Sequence, residues 1–281
     1  MLRTPLPILL TIISATLLAI ASTSSIAQSQ PLPSGRTPVL VELFTSEGCS
    51  SCPSADALLA RLQHDQPVPN SDIIVLEEHV DYWDSLGWHD RFSAHQFTNR
   101  QTQYVRRLRL DSPYTPQMIV DGTDQFTGND TAHALRAITH AARTPKIALM
   151  LSALTFDGAH VAGEVSVTPS ASSLAKSDLY AAVVESMAST QVQRGENGGR
   201  TLQHVSVVRV LQRIGRPADA TATPLKFSLN TPRDTSSENL RVVVFIQRAD
   251  QDAILGAISS PRGSAISSTT SVASTLSSLA R

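Results

Sequence analysis

Apolar and polar residues follow two different patterns along this chain. Between residues 38 and 145, short apolar runs are separated by segments whose apolar residues recur at helical spacing. Alternation of this kind predicts βαβ units and a largely parallel part of a sheet. The predicted strands span residues 39–46, 73–80 and 117–121, and the predicted helices span 53–63, 91–110 and 130–143.

After residue 145 the apolar runs come closer together and helical spacing disappears. Closely spaced strands predict a small antiparallel β-sandwich over residues 146–262 as a second domain. Asp157-Gly158 is a typical hairpin turn between the first two of these strands. Residues 263–281 are rich in Ser, Thr and Ala and are predicted to be a tail, with a weak helical pattern over 272–279. The predicted strands are 147–156, 160–167, 179–187, 204–211, 225–229 and 240–247.

The N-terminus has the pattern of a secretory signal peptide. Arg3 precedes an apolar run, and Ser25-Ile26-Ala27 offers small residues for cleavage before Gln28. The alternative is a retained membrane anchor, because the apolar run approaches the length that spans a bilayer. Residues 1–27 are therefore predicted to be a signal peptide and residues 28–37 a flexible lead-in. We expect a periplasmic or secreted protein with no stable membrane insertion after cleavage.

Composition changes this picture little. The chain is 41% hydrophobic, has a formal net charge of −1 and a pI near 6.7. Such values are typical of a folded protein with no basic excess, so nucleic acid is not an expected partner.

Cys49 and Cys52 are the only cysteines, and they lie between a predicted strand and a helix that begins at Pro53. A strand–CxxC–helix arrangement is typical of a thioredoxin-like redox site. In an exported protein the pair could instead be a structural disulfide. However, bridging residues three apart closes a very small loop and gains little stability. We therefore expect Cys49 to be the exposed nucleophile at the helix N-terminus and Cys52 the more buried resolving thiol.

Thr115-Pro116 directly precedes the strand predicted over 117–121. In thioredoxin-like folds a cis proline begins the corresponding strand and lies against the CxxC. We expect Pro116 to be such a residue, with Thr115 in the same site. The alternative is an ordinary trans proline at the first position of a strand.

The segment after the strand 73–80 should leave the sheet at the same edge as Cys49, since the two strands are predicted to be parallel. It contains both tryptophans of the chain, Trp83 and Trp88. We expect these to shield the disulfide. Protons would be relayed by His79, Asp81 or Glu47. The alternative is that the tryptophans cover the core and the carboxylates lie in water.

Several fragments together resemble one secreted bacterial thioredoxin-like family, known as domain-of-unknown-function family 1223. The resemblance implies an α/β thioredoxin-like domain over residues 38–145, a redox CxxC at Cys49 and Cys52, and export from a bacterium. It implies no known substrate. Around Asn197 and His204 we interpret the similarity as a Gly-rich turn between strands. The fragments span residues 44–56, 79–88, 114–122, 196–204 and 207–209.

The sequence thus predicts an exported thiol–disulfide oxidoreductase acting on thiol- or disulfide-containing partners, with the second domain holding or recognising a partner. No cofactor and no metal ligand set is assigned. One alternative is a copper-binding or copper-delivery protein that uses both cysteines and a histidine such as His79 or His89, because copper(I) suits thiolates. Another is a non-enzymatic binding module with a vestigial disulfide.

Overall fold

The computed structural model describes residues 35–168, 174–263 and 271–273. The predicted signal peptide, most of the lead-in and most of the tail, including residues 274–279 of its possible helix, lie outside these ranges. Within them, no helix is long and apolar enough to cross a membrane.

Three α-helices and twelve strands make up the described part of the chain. The helices are α1 (Pro53–Asp65), α2 (His95–Arg107) and α3 (Thr131–Ala141). The strands of the first half are β1 (Thr37–Thr45), β2 (Ser71–His79), β3 (Gln117–Val120) and β4 (Asp124–Thr127). Those of the second half are β5 (Leu149–Phe156), β6 (His160–Val167), β7 (Ser177–Gln191), β8 (Thr201–Gly215), β9 (Leu225–Asn230), β10 (Leu240–Arg248), β11 (Ile254–Ser259) and β12 (Ser271–Ala273). Two short 3-10 helices are Pro217–Ala220 and Ser237–Asn239.

The fold is a mixed α/β architecture with one large, mostly β sheet and a second small sheet. The large sheet has eight strands in the order β11-β10-β7-β8-β2-β1-β3-β4. β1 and β2 are parallel, as expected, and Thr45 lies opposite His79 at their shared end. β3 runs antiparallel to β1, and β4 antiparallel to β3, so only part of this half is parallel.

The strands after residue 145 do not form a sheet system of their own, in contrast to the predicted separate sandwich. Four of them, β7, β8, β10 and β11, continue the large sheet, while β12, β5, β6 and β9 form the small one. The two halves join where Glu77 of β2 pairs with Val207 of β8, the single register pair between these strands. Apolar alternation shows which face of a strand is buried but not which strand lies beside it. The continuous sheet was therefore not predictable from the pattern.

Local predictions agree more closely with the structure. The turn at Asp157 and Gly158 does connect β5 to β6, which pair antiparallel.

Other elements differ from the prediction. The helix expected from residue 91 begins only at His95, because Asp90 accepts a hydrogen bond from the Phe92 backbone and holds a turn there. Val272 and Ala273, expected in a weak helix, belong to β12. β4 and β11 were not predicted; both are short.

Alternate residues of β1 are buried on opposite faces of the sheet. Val41 and Leu43 pack in a cluster with α1 and α3, whereas Leu40 packs with Phe97 of α2. Because both of its faces are covered, β1 is a central strand of the sheet. The segment that follows it, which contains the CxxC, therefore begins where packed elements surround the strand end. The small sheet packs on the large one through a third cluster that includes Leu151, Val165, Val183 and Val242.

Candidate functional site

The CxxC lies in the turn between the end of β1 and the start of α1. Cys49 and Cys52 form a disulfide, and the Cys52 backbone N–H donates to the Cys49 carbonyl at 3.2 Å. Pro53 is the first helical residue, where its missing N–H costs nothing because that position has no intrahelical acceptor. Sequence and local geometry thus agree on a disulfide at a helix N-terminus.

The cysteines are less accessible than expected. Cys49 is 1% exposed and Cys52 is 0% exposed, so the prediction of an exposed Cys49 is wrong for this conformation. The exposed residues of the motif are Ser50 and Ser51 between them. The Ser51 hydroxyl lies 3.3 Å from the Cys49 sulfur and is the polar side chain closest to it in the motif.

A segment from the second half of the chain accounts for this burial. Residues 192–200, here named the covering loop, connect β7 to β8. The buried Asn197 amide donates to the carbonyls of Glu47 and Cys49, both at 2.9 Å. Glu196 accepts a hydrogen bond from the Ser50 backbone at 3.0 Å, and hydrogen bonding from the Ser50 side chain and backbone lowers the pKa of its carboxyl. The covering loop is therefore bonded to the backbone on both sides of Cys49.

The cis proline expected at residue 116 is present. The Thr115–Pro116 peptide bond is cis, and Pro116 is buried. Trp83 links this peptide to the CxxC segment: its indole N–H donates to the Thr115 hydroxyl at 2.8 Å. A Cβ placed on Gly48 would lie 3.1 Å from the Trp83 Cβ.

Gly128 brings Pro116 close to α1. A Cβ on Gly128 would lie 2.7 Å from a Leu43 methyl group and 3.0 Å from both Ala55 Cβ and Pro116 Cβ. Only a glycine leaves enough room for these three side chains to approach one another at this position.

Glu47 is completely buried, two residues before Cys49. The Trp88 indole N–H donates to its Oε2 at 2.7 Å. The Glu47 backbone N–H in turn donates to the Asp90 carboxylate at 2.8 Å. Trp88 therefore fixes the side chain of Glu47 and Asp90 fixes its backbone, while the covering loop binds its carbonyl.

Buried acids and imidazoles alternate below Glu47. His79 Nδ1 lies 2.7 Å from Asp90 Oδ2, and His204 Nδ1 lies 2.7 Å from Glu77 Oε1. Burial alone would oppose ionisation of all four groups, but their mutual attraction prevails. It raises the pKa of His79 to about 9 and that of His204 well above its usual range, and lowers the pKa of Glu77 and Asp90 to about 2.

Asp56 adds a group that titrates near neutral pH. It is buried one turn after Cys52, its backbone N–H donates to the Cys52 carbonyl, and its carboxyl accepts from the Thr45 hydroxyl at 2.7 Å. Burial, followed by the negative charge of Glu77, raises the pKa of Asp56 to about 7. A group with such a pKa can gain or lose a proton under physiological conditions.

Six of the residues expected to surround the CxxC meet here: Glu47, His79, Trp83, Trp88, Thr115 and Pro116. Asp81 does not join them, since its carboxylate is bonded to Thr98 and His95 of α2. His89 is likewise turned away, with a side chain that is 78% exposed and paired with Asp84. The cysteine sulfurs are bonded to each other, so the copper site suggested by the alternative hypothesis is not assembled in this structure.

Sequence reasoning missed several residues of the site. Glu77, Asp90 and Asp56 had no assigned role, and Asn197 and His204 were interpreted as part of a turn. One signal was available: Glu77, Glu78 and His79 are three consecutive ionisable residues at the end of an apolar strand. Charged residues are almost never fully buried unless they are paired, so such a run within a buried strand indicates partners elsewhere in the fold.

The fold and this site define a mixed α/β protein with a buried Cys-x-x-Cys disulfide at the start of a helix. The chain belongs to the family described as "Protein of unknown function (DUF1223)", which matches residues 40–247. This confirms the resemblance to domain-of-unknown-function family 1223. No curated protein matches the chain.

Two solved structures are similar to this one. A crystal structure of a protein from Agrobacterium tumefaciens is 26% identical, with a TM-score of 0.58, and the match covers 83% of this chain and 95% of that one. HBP35 of Porphyromonas gingivalis is 16% identical, with a TM-score of 0.56, and the match covers 84% of this chain and 79% of that one. The second similarity indicates a shared fold and nothing further.

Proposed function

We propose that this protein is an exported bacterial thiol–disulfide oxidoreductase with a thioredoxin-like arrangement of its redox site. The observation that carries the proposal is the Cys49–Cys52 disulfide directly before α1, linked through Trp83 to the cis Thr115–Pro116 peptide. The signal-peptide pattern of residues 1–27 supports export to the periplasm or beyond. The partner is a protein or small molecule that contains a thiol or a disulfide.

The exchange proceeds in two displacements. In the reduced protein, the Cys49 thiolate attacks a partner disulfide, forms a mixed disulfide and releases one partner thiolate. The Cys52 thiolate then attacks the Cys49 sulfur and releases the second partner thiolate. Two electrons pass to the partner and the Cys49–Cys52 disulfide forms again. Oxidation of a partner dithiol is the reverse sequence.

Neighbouring groups support each displacement. The α1 N-terminus and the Ser51 hydroxyl favour a thiolate on Cys49. For Cys52 we assign Asp56 as the proton acceptor, because it is buried one helical turn away, with its backbone N–H bonded to the Cys52 carbonyl at 3.1 Å. Its raised pKa, about 7, suits a group that takes a proton from the thiol and returns it to the leaving group. The covering loop has to move before a partner can reach Cys49, because the Asn197 side chain is bonded to the carbonyls of Glu47 and Cys49.

The burial of both cysteines favours a second candidate, a binding module whose disulfide is vestigial. A trapping experiment separates the two functions. Reduced Cys52→Ser protein, expressed in the periplasm, keeps only Cys49, so an oxidoreductase accumulates mixed disulfides that non-reducing gels and mass spectrometry detect. The matched Cys49→Ser variant retains the deeper thiol and should accumulate far fewer adducts. If Cys52→Ser forms no more adducts than Cys49→Ser, the oxidoreductase proposal fails.

A further inference from the structure

His79 and His204 meet in the interior, although 124 residues of sequence lie between them. Both side chains are fully buried, and their ring centroids are 4.8 Å apart. His79 ends β2 and His204 lies in β8, so the two rings lie at the junction that joins the halves of the large sheet. This junction has one register pair, Glu77 with Val207, and side-chain contacts must supply the rest of its strength.

Each imidazole is oriented by a carboxylate on the same ring nitrogen. Asp90 binds Nδ1 of His79 and Glu77 binds Nδ1 of His204, both at 2.7 Å. A carboxylate on one nitrogen is the usual partner of a histidine that ligates a metal with its other nitrogen, because it fixes the ring and makes the ligand more basic. His79, held by Asp90, has this arrangement, whereas Glu77, which lies against Nδ1 of His204, also faces Nε2 of His79 and can itself serve as a ligand.

The other ring nitrogens have no hydrogen-bond partner. This holds for Nε2 of His79 and of His204, and also for Oε1 of Glu47, all of them buried within the described part of the chain. His79 Nε2 lies 3.5 Å from Glu77 Oε1, and His204 Nε2 lies 3.5 Å from Glu47 Oε1. These separations exceed the 2.7–3.2 Å range of an N–H···O hydrogen bond. In a tetrahedral zinc site with bonds of about 2.1 Å, two ligand atoms lie about 3.4 Å apart, which matches the separation of His79 Nε2 from Glu77 Oε1.

We propose that Glu77, His79 and His204 form a binding site for one divalent transition-metal ion. Ligand atoms of these three residues all lie within 4.8 Å of one another. Two imidazole nitrogens and a carboxylate oxygen form a ligand set that suits Zn²⁺, Fe²⁺ or Mn²⁺. Glu47 borders the site and supplies a further carboxylate on the side of His204.

The position of this site gives the ion a structural task. It would link β2 to β8 across their single register pair, and through Glu47 it would reach the segment that precedes Cys49. No cysteine sulfur takes part, because both are held in the disulfide. The site is therefore distinct from a thiolate copper site and is independent of the proposed redox function.

Metal binding can be measured on the oxidised full chain after dialysis against EDTA. Zn²⁺ and, as a spectroscopic probe, Co²⁺ are titrated in, with content determined by plasma mass spectrometry after gel filtration. We expect one equivalent per chain and visible d–d bands of Co²⁺ without a thiolate charge-transfer band. The Cys49→Ser/Cys52→Ser double variant should bind equally well, which separates this site from the redox motif.

Three variants locate the ion. His204→Gln and Glu77→Gln should lose the equivalent, while His89→Gln, altered at an exposed histidine, should retain it. If the ligand variants fail to fold, Asp90→Asn provides a second measurement, because it leaves the ligands in place and should weaken binding by about 10- to 100-fold. Less than stoichiometric binding by the wild type, or equal binding by His204→Gln or by Asp90→Asn, would overturn the proposal.

Discussion

Replacing Asn197 with alanine tests whether the covering loop controls access to the disulfide. The Asn197 side chain is fully buried and donates to the carbonyls of Glu47 and Cys49, both at 2.9 Å. Alanine removes both of these hydrogen bonds, together with the one that the side-chain oxygen accepts from Arg200 at 2.8 Å, and introduces no bulk. The Cys49 carbonyl keeps a second bond from the Cys52 backbone, so it is not left unsatisfied. The hydrogen bonds lost in this variant therefore affect mainly the Glu47 carbonyl and the covering loop.

The magnitude follows from these two contacts. A buried acceptor left without a partner costs about 1–3 kcal/mol, and an ordinary hydrogen bond contributes about 0.5–1.5 kcal/mol. We take about 2 kcal/mol as the conservative sum for Asn197→Ala. If reduction occurs from a form in which the loop is open, and opening is fast, the population of that form rises by about 30-fold. The rate of disulfide reduction should rise by the same factor.

The assay is reduction of the Cys49–Cys52 disulfide by dithiothreitol under pseudo-first-order conditions, quenched with iodoacetamide and read by mass spectrometry. Urea unfolding of each variant gives its global stability. Asn239→Ala is the matched control, since the Asn239 amide also donates to a backbone carbonyl, that of Met187 at 2.7 Å, but lies in the 3-10 helix Ser237–Asn239. Asn239→Ala should change the rate of disulfide reduction very little.

One outcome would refute this reasoning. If Asn197→Ala lowers the free energy of unfolding by the expected amount but is reduced no faster than Asn239→Ala, the covering loop does not limit access. The buried state of Cys49 would then be a property of the CxxC turn itself.

Three further predictions concern the surroundings of the disulfide. The pKa of Asp56 is about 7 in the fold against a model-peptide value near 3.8, so its burial costs stability as pH rises from about 4 to 7, by up to about 4 kcal/mol. Asp56→Asn should therefore stabilise the protein more at pH 8 than at pH 4.5 in urea titrations, and an equal gain at both values would contradict the assigned pKa. Trp88→Phe removes the donor to the fully buried Glu47 side chain and should cost about 1.5–3 kcal/mol, more than Trp83→Phe, which loses a bond to the partly buried Thr115 hydroxyl; the reverse order in chemical denaturation would mean that the bond to Glu47 is not the stronger of the two. Gly128→Ala places a methyl group 2.7 Å from a Leu43 methyl and 3.0 Å from Pro116 Cβ, and should cost about 1–3 kcal/mol, visible as a lower thermal midpoint; an unchanged midpoint would mean that these side chains can separate.

The sequence by itself determined the local features of this protein. Apolar spacing located β1, α1, β2 and most later strands to within a few residues. The order of strand, CxxC and Pro53 predicted a cysteine pair at a helix N-terminus, and Pro116 was correctly expected to be cis. Each of these depends on residues that are close in the chain, so short-range pattern and backbone chemistry suffice to predict them.

Only the tertiary structure decided what surrounds the disulfide. The pairing of β2 with β8 makes one sheet of two predicted domains, and it brings His204 to Glu77, 127 residues away. The same pairing lays Asn197 over Cys49 and buries a cysteine that was expected to be exposed. Periodicity shows which residues face inward but not which distant strand they meet. His79 was expected in the site from the sequence, whereas His204 and the covering loop therefore had no assigned role in it.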